Sequence, residues 1–359
     1  MHVRPSRSLS IDALKAIASQ LIVLHHLAFY GPMSDAALVL APDLISWLYD
    51  YGRVAVQAFL VVGGYLAAQT LSGMGALPAA GLGRLLFRRY LRLILPYLAA
   101  LLLAIAAAAL ASRLIAHESI PAPPSLPQLL AHLFLMHGVL GFDALSAGVW
   151  YVAIDFQLFV LLAVCAWLGR RLPGPLSGSL LVGALGTASL LVFNRHTALD
   201  NWAIYFFGAY ALGAAAWWGN AQVLQPGRAT PVRRHAGWTL LLAAIGLLAL
   251  WVEFRLRIAV ALTVALLLAA ASRATSWQDM PGQALLGWLS RIAYAVFLVH
   301  FPVVILCNAL FARFAPPDPW LNAGGIVLAW ALSVLAGALF HHFVEQRLGR
   351  WQMPRPATA

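Results

Sequence analysis

The sequence predicts an all-α, polytopic membrane protein with about ten transmembrane helices. Three observations carry that prediction. Of the 359 residues, 62% are hydrophobic and 10% charged, against about 25% charged residues in a soluble domain. The mean hydropathy is +0.82. The apolar residues also come in runs close to the length, about 20 residues, that a helix needs to cross a bilayer. So few charges would leave a water-facing surface uncovered. That excludes a soluble enzyme, a disordered chain and a disulfide scaffold. Cys165 and Cys307 lie far apart in apolar runs and support neither a disulfide framework nor a metal site.

The runs fall at 9–30, 54–72, 91–111, 149–168, 178–193, 200–218, 237–252, 257–272, 286–310 and 322–343. The first is read as a span and not as a cleaved signal. It carries Asp12, Lys15, His25 and His26, and no small-residue cleavage pattern follows it. The net charge of +11 is almost all arginine. In a soluble protein it would suggest nucleic acid. In a polytopic chain it is a topology signal, and no nucleic-acid partner is expected. Ten spans put both termini on one side. With the termini in the cytoplasm, only Arg53, Arg113, Arg195, Arg255, Arg257 and Arg313 fall outside. The other basic residues, Arg4, Arg7, Arg84, Arg228, Arg273 and Arg355 among them, fall inside. The positive-inside bias therefore sets both termini in the cytoplasm, as in a cell inner (plasma) membrane.

Most connections are short. The long one, 112–148, is expected on the outer side and contains the proline-rich run IPAPPSLP at 120–127. The apolar run LLAHLFLMHG at 129–138 is too short to span. It fits an interfacial or re-entrant helix, or equally a plain surface helix. The stretch 219–236, with Gly, Pro and Arg, reads as a cytoplasmic loop. No internal repeat is apparent, so an inverted-repeat transporter gains no support. The whole chain, 1–359, is expected to form one membrane-embedded domain with no appended soluble domain.

An ionisable side chain in hydrocarbon costs about 2.5–3.5 kcal/mol even on the lenient insertion scale, so such residues mark function. Lys15 is the only lysine, and His26 follows eleven residues later. Eleven residues make about three helical turns, so both side chains share a face about 16 Å apart. An imidazole titrates near pH 6.5 and suits proton abstraction from a hydroxyl. A snorkelling lysine with an interfacial histidine pair is the alternative. His25 and His26 are adjacent and point about 100° apart, which is poor geometry for one metal ion. No metal is expected. In WYVAIDFQLF, 150–159, Asp155 needs a partner inside the membrane, and a histidine from another helix is the natural one. It would orient an imidazole as the acid of a hydrolytic triad does. In LSRIAYAVFLVHFPVVIL, 289–306, His300 is mid-span, and Pro302 frees a backbone carbonyl beside it. By spacing, His25, His26, Asp155 and His300 share a depth. At the inner mouth, RLLFRRYLRLILP (84–96) gathers Arg88, Arg89 and Arg92. Arginine suits bidentate phosphate binding; it equally obeys topology and meets anionic lipid.

These segments together resemble the acyltransferase 3 family of integral-membrane acyltransferases. DALKAIASQLIVLHHL (12–27) has Lys15 where the family has Arg, and His26 at its His position. FLVVGGYLA (59–67) looks like its Phe-Phe-x-x-Ser-Gly-Tyr segment, with Gly63 for Ser. RRYLRLILP is similar to its Arg-rich third span. WYVAIDFQLF places Asp155 at a Glu position and matches Gln157. IAYAVFLVHFPVV (292–304) resembles its Ser-Tyr-x-x-Tyr-Leu-x-His-x-Pro segment. FVEQRL (343–348) resembles the closing Glu-x-Pro motif without the Pro.

The resemblance implies transfer of an acyl group, commonly acetyl, from a cytoplasmic acyl-CoA. The acceptor is a hydroxyl of a cell-surface glycan, a lipid-linked sugar or a related molecule. The acyl-CoA, acetyl-CoA first, is a co-substrate, and no permanently bound cofactor is expected. Membrane lipid is the remaining partner. His26 is assigned as general base, with His25 as the alternative. Asp155 orients it or contacts the acceptor, and His300 is a further catalytic candidate. Tyr294, Gln157 and Trp150 are candidates for acceptor or oxyanion contacts. Lys15, Arg88, Arg89 and Arg92 position the donor. No serine or cysteine nucleophile lies beside the histidines, which favours direct transfer. The competing class is a proton-coupled transporter or flippase using the same buried His and Asp residues.

Overall fold

The computed structural model describes residues 9–73, 78–173, 177–221, 232–271 and 282–352. Among them every regular element is helical. The helices are α1 (Leu9–Phe29), α2 (Pro32–Ala37), α3 (Pro42–Tyr51), α4 (Val56–Ser72), α5 (Ala79–Ala111), α6 (Leu126–Leu133) and α7 (Val149–Gly169). They continue with α8 (Ser177–Leu191), α9 (Ala203–Ala221), α10 (Val232–Val252), α11 (Leu256–Ala271), α12 (Gln283–Phe314), α13 (Pro319–Phe340) and α14 (Gln346–Gln352). A π turn, His341–Glu345, joins the last two. Arg4, Arg7, Arg228, Arg273 and Arg355, and most of the loop 219–236, lie outside the described residues.

Each of the ten expected spans falls on one of these helices. Among the described residues, 7 stretches are long and apolar enough to cross a membrane by length and composition. They include α1, α5, α7 and α12 whole. The chain is thus an all-α, polytopic membrane protein.

Three local differences from the sequence reading have physical causes. The connection 30–53 is itself helical, because Pro32 and Pro42 stand in the first turns of α2 and α3, where the fixed φ of proline suits helix entry. Helix α5 starts at Ala79, well before the expected span at 91. Residues 79–90 are rich in Ala, Leu and Arg, which favour helix, but are too charged for a hydropathy window to include them. Arg88, Arg89 and Arg92 therefore ride on the helix proper.

Third, the helix in this region is Leu126–Leu133, so only the first half of the apolar run 129–138 is helical. The Tyr90 hydroxyl donates to the Leu133 carbonyl at 2.7 Å. Tyr90 precedes the end of α5 by 21 residues, roughly 30 Å of helix. So α6 ends against the flank of α5. Its start is fixed by a capping box. Gln128 N–H donates to Ser125 Oγ at 3.3 Å, and Ser125 N–H donates to Gln128 Oε1 at 3.4 Å. Beyond α6, Leu135 takes a left-handed φ of 57° with its side chain fully buried. That turn stacks His137 on His132, ring centroids 4.1 Å apart.

The described chain divides into two compact units. The first comprises Met1–Ala18, Val54–Leu86 and Ile154–Ser290. Its centre is α9, which packs against α4, α8, α10 and α11. Tyr205, Phe207 and Tyr210 of α9 are fully buried. Two asparagines and a serine bond backbone groups there. Ser189 Oγ accepts from Gly208 N–H at 2.8 Å, Asn194 Nδ2 donates to the Tyr205 carbonyl at 2.9 Å, and Asn220 Nδ2 donates to the Leu268 carbonyl at 3.0 Å. At the surface of this unit, Glu253 sits between Arg255 (2.5 Å) and Arg195 (2.6 Å). Hydrogen bonds from Arg255 and then Arg195 hold its carboxyl below the usual carboxylate range.

The second unit comprises Ser19–Arg53, Phe87–Ala153 and Arg291–Ala359. There α13 packs on α2. Asp318 caps α13 by accepting from Leu321 N–H at 2.8 Å. Asn308 ties down the turn after α1: its Oδ1 accepts from Met33 N–H at 3.1 Å and its Nδ2 donates to the Tyr30 carbonyl at 2.8 Å. The turn needs glycine. Gly31 has a φ of 126°, and a Cβ there would overlap the Asn308 amide.

Candidate active site

The second unit holds the imidazoles. His26 on α1 and His300 on α12 are both buried, and the spacing of 274 residues closes to a hydrogen bond. His26 Nδ1 lies 2.6 Å from His300 Nε2. The protons on this pair follow from their partners. His300 Nδ1 lies 3.1 Å from the Val296 carbonyl, one turn back on α12. A carbonyl only accepts, so His300 Nδ1 carries the hydrogen and its Nε2 carries the lone pair. His26 Nδ1 must then donate. Its Nε2 is left with a lone pair, which is the state a general base needs.

His25 has a different occupation. Its Nδ1 donates to the Leu48 carbonyl at 2.9 Å. A Cβ on Gly52 would come within 2.8 Å of the His25 Cβ, so backbone and side chain are in close packing there. His25 therefore pins the segment before α4 to α1. We expect His25→Ala to lower the melting temperature by several degrees, for a loss of about 1–2 kcal/mol. Transfer per folded molecule should fall far less than for a change at His26. Differential scanning fluorimetry beside a transfer assay checks both.

Aromatic rings enclose the pair. Tyr30 lies four residues after His26 on the same face, with ring centroids 5.4 Å apart. Phe301 meets Tyr30 edge-on at 5.2 Å, and Phe297 lies 6.1 Å from His300. Trp150 and Tyr151 belong to this unit too, and the Tyr151 ring meets Phe297 at 5.2 Å. Tyr294, half-buried, donates its hydroxyl to the Leu93 carbonyl of α5 at 3.3 Å. Arg88 and Arg92 are exposed and share a face of α5 at i, i+4, with Arg89 half-buried beside them. His341 and Glu345 pair within the π turn at 2.7 Å.

The first unit holds the other candidates. Asp155, on α7, is buried. A Cβ at Gly63 would lie 3.4 Å from its Oδ1 and 3.1 Å from the Tyr210 ring. So Gly63 and Asp155, which stand at the Ser and Glu positions of the motifs above, are neighbours across α4 and α7. Gln157 is half-buried two residues on. Lys15 is half-buried on α1. One turn before it, Asp12 accepts a hydrogen bond from Ser290 Oγ at 2.5 Å.

Among the expected catalytic residues, the structure joins His26 to His300. A second imidazole, that of His300, bonds His26 Nδ1. Sequence reasoning missed Tyr30, Asn308 and the Asp12–Ser290 bond. Tyr30 had a signal in its i+4 spacing from His26, and Asn308 had one as a lone amide in an apolar run.

Among the described residues, seven stretches long and apolar enough to span and a buried, hydrogen-bonded imidazole pair describe a polytopic membrane protein. A family model described as an acyltransferase domain, acyltransferase 3, matches residues 8–342. The chain belongs to the acyltransferase 3 family and is a membrane acyltransferase, with an acyl donor and a hydroxyl acceptor implied by that membership. No curated protein and no solved structure matches it.

Proposed function

We propose that the protein moves an acetyl group from cytoplasmic acetyl-CoA to a hydroxyl of a cell-surface glycan or lipid-linked sugar. The enzyme lies in the cell inner membrane with both termini in the cytoplasm. The observation that supports this best is the hydrogen-bond order of the imidazole pair, which leaves His26 Nε2 unprotonated. The acceptor O–H gives its proton to that nitrogen as the oxygen attacks the thioester carbonyl. The tetrahedral intermediate then expels the thiolate, which takes the proton back from His26. The enzyme ends unchanged, and the products are the acetyl ester and free CoA. His300 holds the His26 ring in the productive tautomer and shares the charge of the imidazolium.

Lys15, Arg88, Arg89 and Arg92 supply cations for the phosphates of the donor. Asp155 is assigned to orient the base or contact the acceptor, and Gln157, Trp150 and Tyr294 to acceptor or oxyanion contacts. Preorganised donors at an oxyanion are worth about 2.7–4 kcal/mol each where measured. No resident cofactor is required by these steps.

The test uses purified protein in lipid nanodiscs with radiolabelled acetyl-CoA. Enzyme-dependent transfer to sugar hydroxyls, or slow hydrolysis without acceptor, is expected. Binding of acetyl-CoA with neither reaction would favour a transporter. In the same assay, Arg88→Ala with Arg89→Ala should raise the donor KM about tenfold or more while kcat changes little. The reason is that charge-assisted phosphate contacts are worth about 1.5–3 kcal/mol. An unchanged donor KM would remove these arginines from the donor site.

A further inference from the structure

The second unit contains a cavity of about 380 Å3 that the chemistry above does not use. One wall is the C-terminal part of α5, with Ile105, Ala108 and Ala109. The other is the strap 115–124, closed by Leu145. The volume sits in the lower part of the about 300–1,000 Å3 typical of small-ligand sites.

Its polar side chains are few. Ser112 Oγ donates to the Ala109 carbonyl at 3.1 Å. His117 Nδ1 accepts from Ser119 N–H at 3.2 Å, which leaves one ring N–H as a donor. Pro121, Pro123 and Pro124 bring no N–H at all. A sugar ring placed here would lose its hydrogen bonds to water and regain few from side chains. A hydrocarbon chain asks for no hydrogen bond and packs against these apolar walls. The cavity also lies one layer of side chains from the base. Ala108 packs with Phe301 and Ile305, and Ile120 and Tyr30 pack on the same cluster. Tyr30 and Phe301 are the rings that enclose His26 and His300.

We propose that this cavity seats the hydrocarbon chain of an amphipathic, hydroxyl-bearing acceptor. The chain lies beneath the proline strap, the His117 N–H meets the head group, and the anchored head group presents its hydroxyl to His26. This rests on the acyl-transfer reading and narrows its acceptor to a lipid-borne one. The proline wall suits the task because its backbone is stiff before the ligand arrives.

The test compares octyl glucoside with glucose as acceptors for the full-length protein in nanodiscs, with acetyl-CoA as donor. Octyl glucoside should show a kcat/KM at least tenfold above that of glucose. Ala109 and Ala116 are exposed residues lining the cavity, so tryptophan there fills space without entering the core. Ala109→Trp and Ala116→Trp should each bring that ratio toward one, with monodisperse protein as the control for folding. An octyl glucoside carrying a chain-end diazirine should photolabel peptides within 105–124, and both variants should lose the label. A ratio near one in the parent protein overturns the proposal, as does a ratio the tryptophans leave unchanged. Equal labelling of 105–124 by a diazirine phosphatidylcholine, resistant to excess octyl glucoside, also overturns it, since the occupant is then ordinary membrane lipid. Labelling at 105–124 with no transfer to either sugar supports the chain site and counts against the acyl-transfer reading alone.

Discussion

Replacing His26 by asparagine is expected to cut acyl transfer by orders of magnitude and leave the protein folded. The asparagine amide reaches about as far as Nδ1 of the imidazole. It can still donate to His300 Nε2, which is fully buried and would otherwise be left unsatisfied at a cost of about 1–3 kcal/mol. What asparagine lacks is the second nitrogen. General-base catalysis contributes about 10²–10⁴-fold, so kcat should fall within that range with little change in donor KM. Initial rates with labelled acetyl-CoA, beside the melting temperature, make the measurement. Normal turnover in His26→Asn would remove the base and with it the mechanism. His300 acts through His26, so its changes separate differently. His300→Ala should lower kcat and stability together. His300→Gln offers a carbonyl oxygen to the His26 Nδ1–H and should recover part of the rate. No recovery would reduce His300 to packing.

The second large effect concerns the helix contact at the heart of the first unit. A Cβ at Gly64 of α4 would fall far inside van der Waals contact with the Tyr210 carbonyl of α9. A Cβ at Gly213 of α9 would do the same to the Val61 carbonyl of α4. Two glycines thus let two backbones touch, as small residues do at helix interfaces in membranes, where packing replaces the hydrophobic driving force. Backbone cannot give way as a flexible side chain can. Gly64→Ala and Gly213→Ala should each cost about 1–3 kcal/mol, and Gly64→Leu should prevent recovery of folded protein. Gly183 of α8 is the control, because a Cβ there meets nothing within 4 Å. Gly183→Ala should be neutral or slightly stabilising, since alanine is the better helix former. Thermal stability by size-exclusion chromatography distinguishes the three, and equal behaviour at all three positions would defeat the close-contact account. Asp155 lies beside neighbouring Gly63, so a loosened α4 contact also disturbs a candidate site residue.

Much of the helix pattern was legible in the sequence. A run such as 91–111 becomes helical because every backbone N–H and C=O must be satisfied within the segment in hydrocarbon. The candidate residues were legible for the same reason: Lys15, His26, Asp155 and His300 are costly in apolar runs. The run at 129–138 was not decided, because eight to ten apolar residues suit a surface or a re-entrant helix alike. The structure adds that Tyr90 of α5 bonds the Leu133 carbonyl at the end of α6. Hydropathy also placed the start of α5 too late, since it senses the bilayer and not the helix.

The sequence by itself determined an all-helical membrane chain, the family it belongs to and the short roll of polar residues inside it. These depend on local hydropathy and short-range spacing, which neighbouring residues carry between them. Tertiary structure alone decided that His26 bonds His300, that His25 is tied to Leu48, and that Gly64 and Gly213 mark a close helix contact. Those facts depend on which helices are neighbours. The hydrogen bond that sets the base nitrogen joins residues 274 apart, and no periodicity along the chain encodes a contact at that distance.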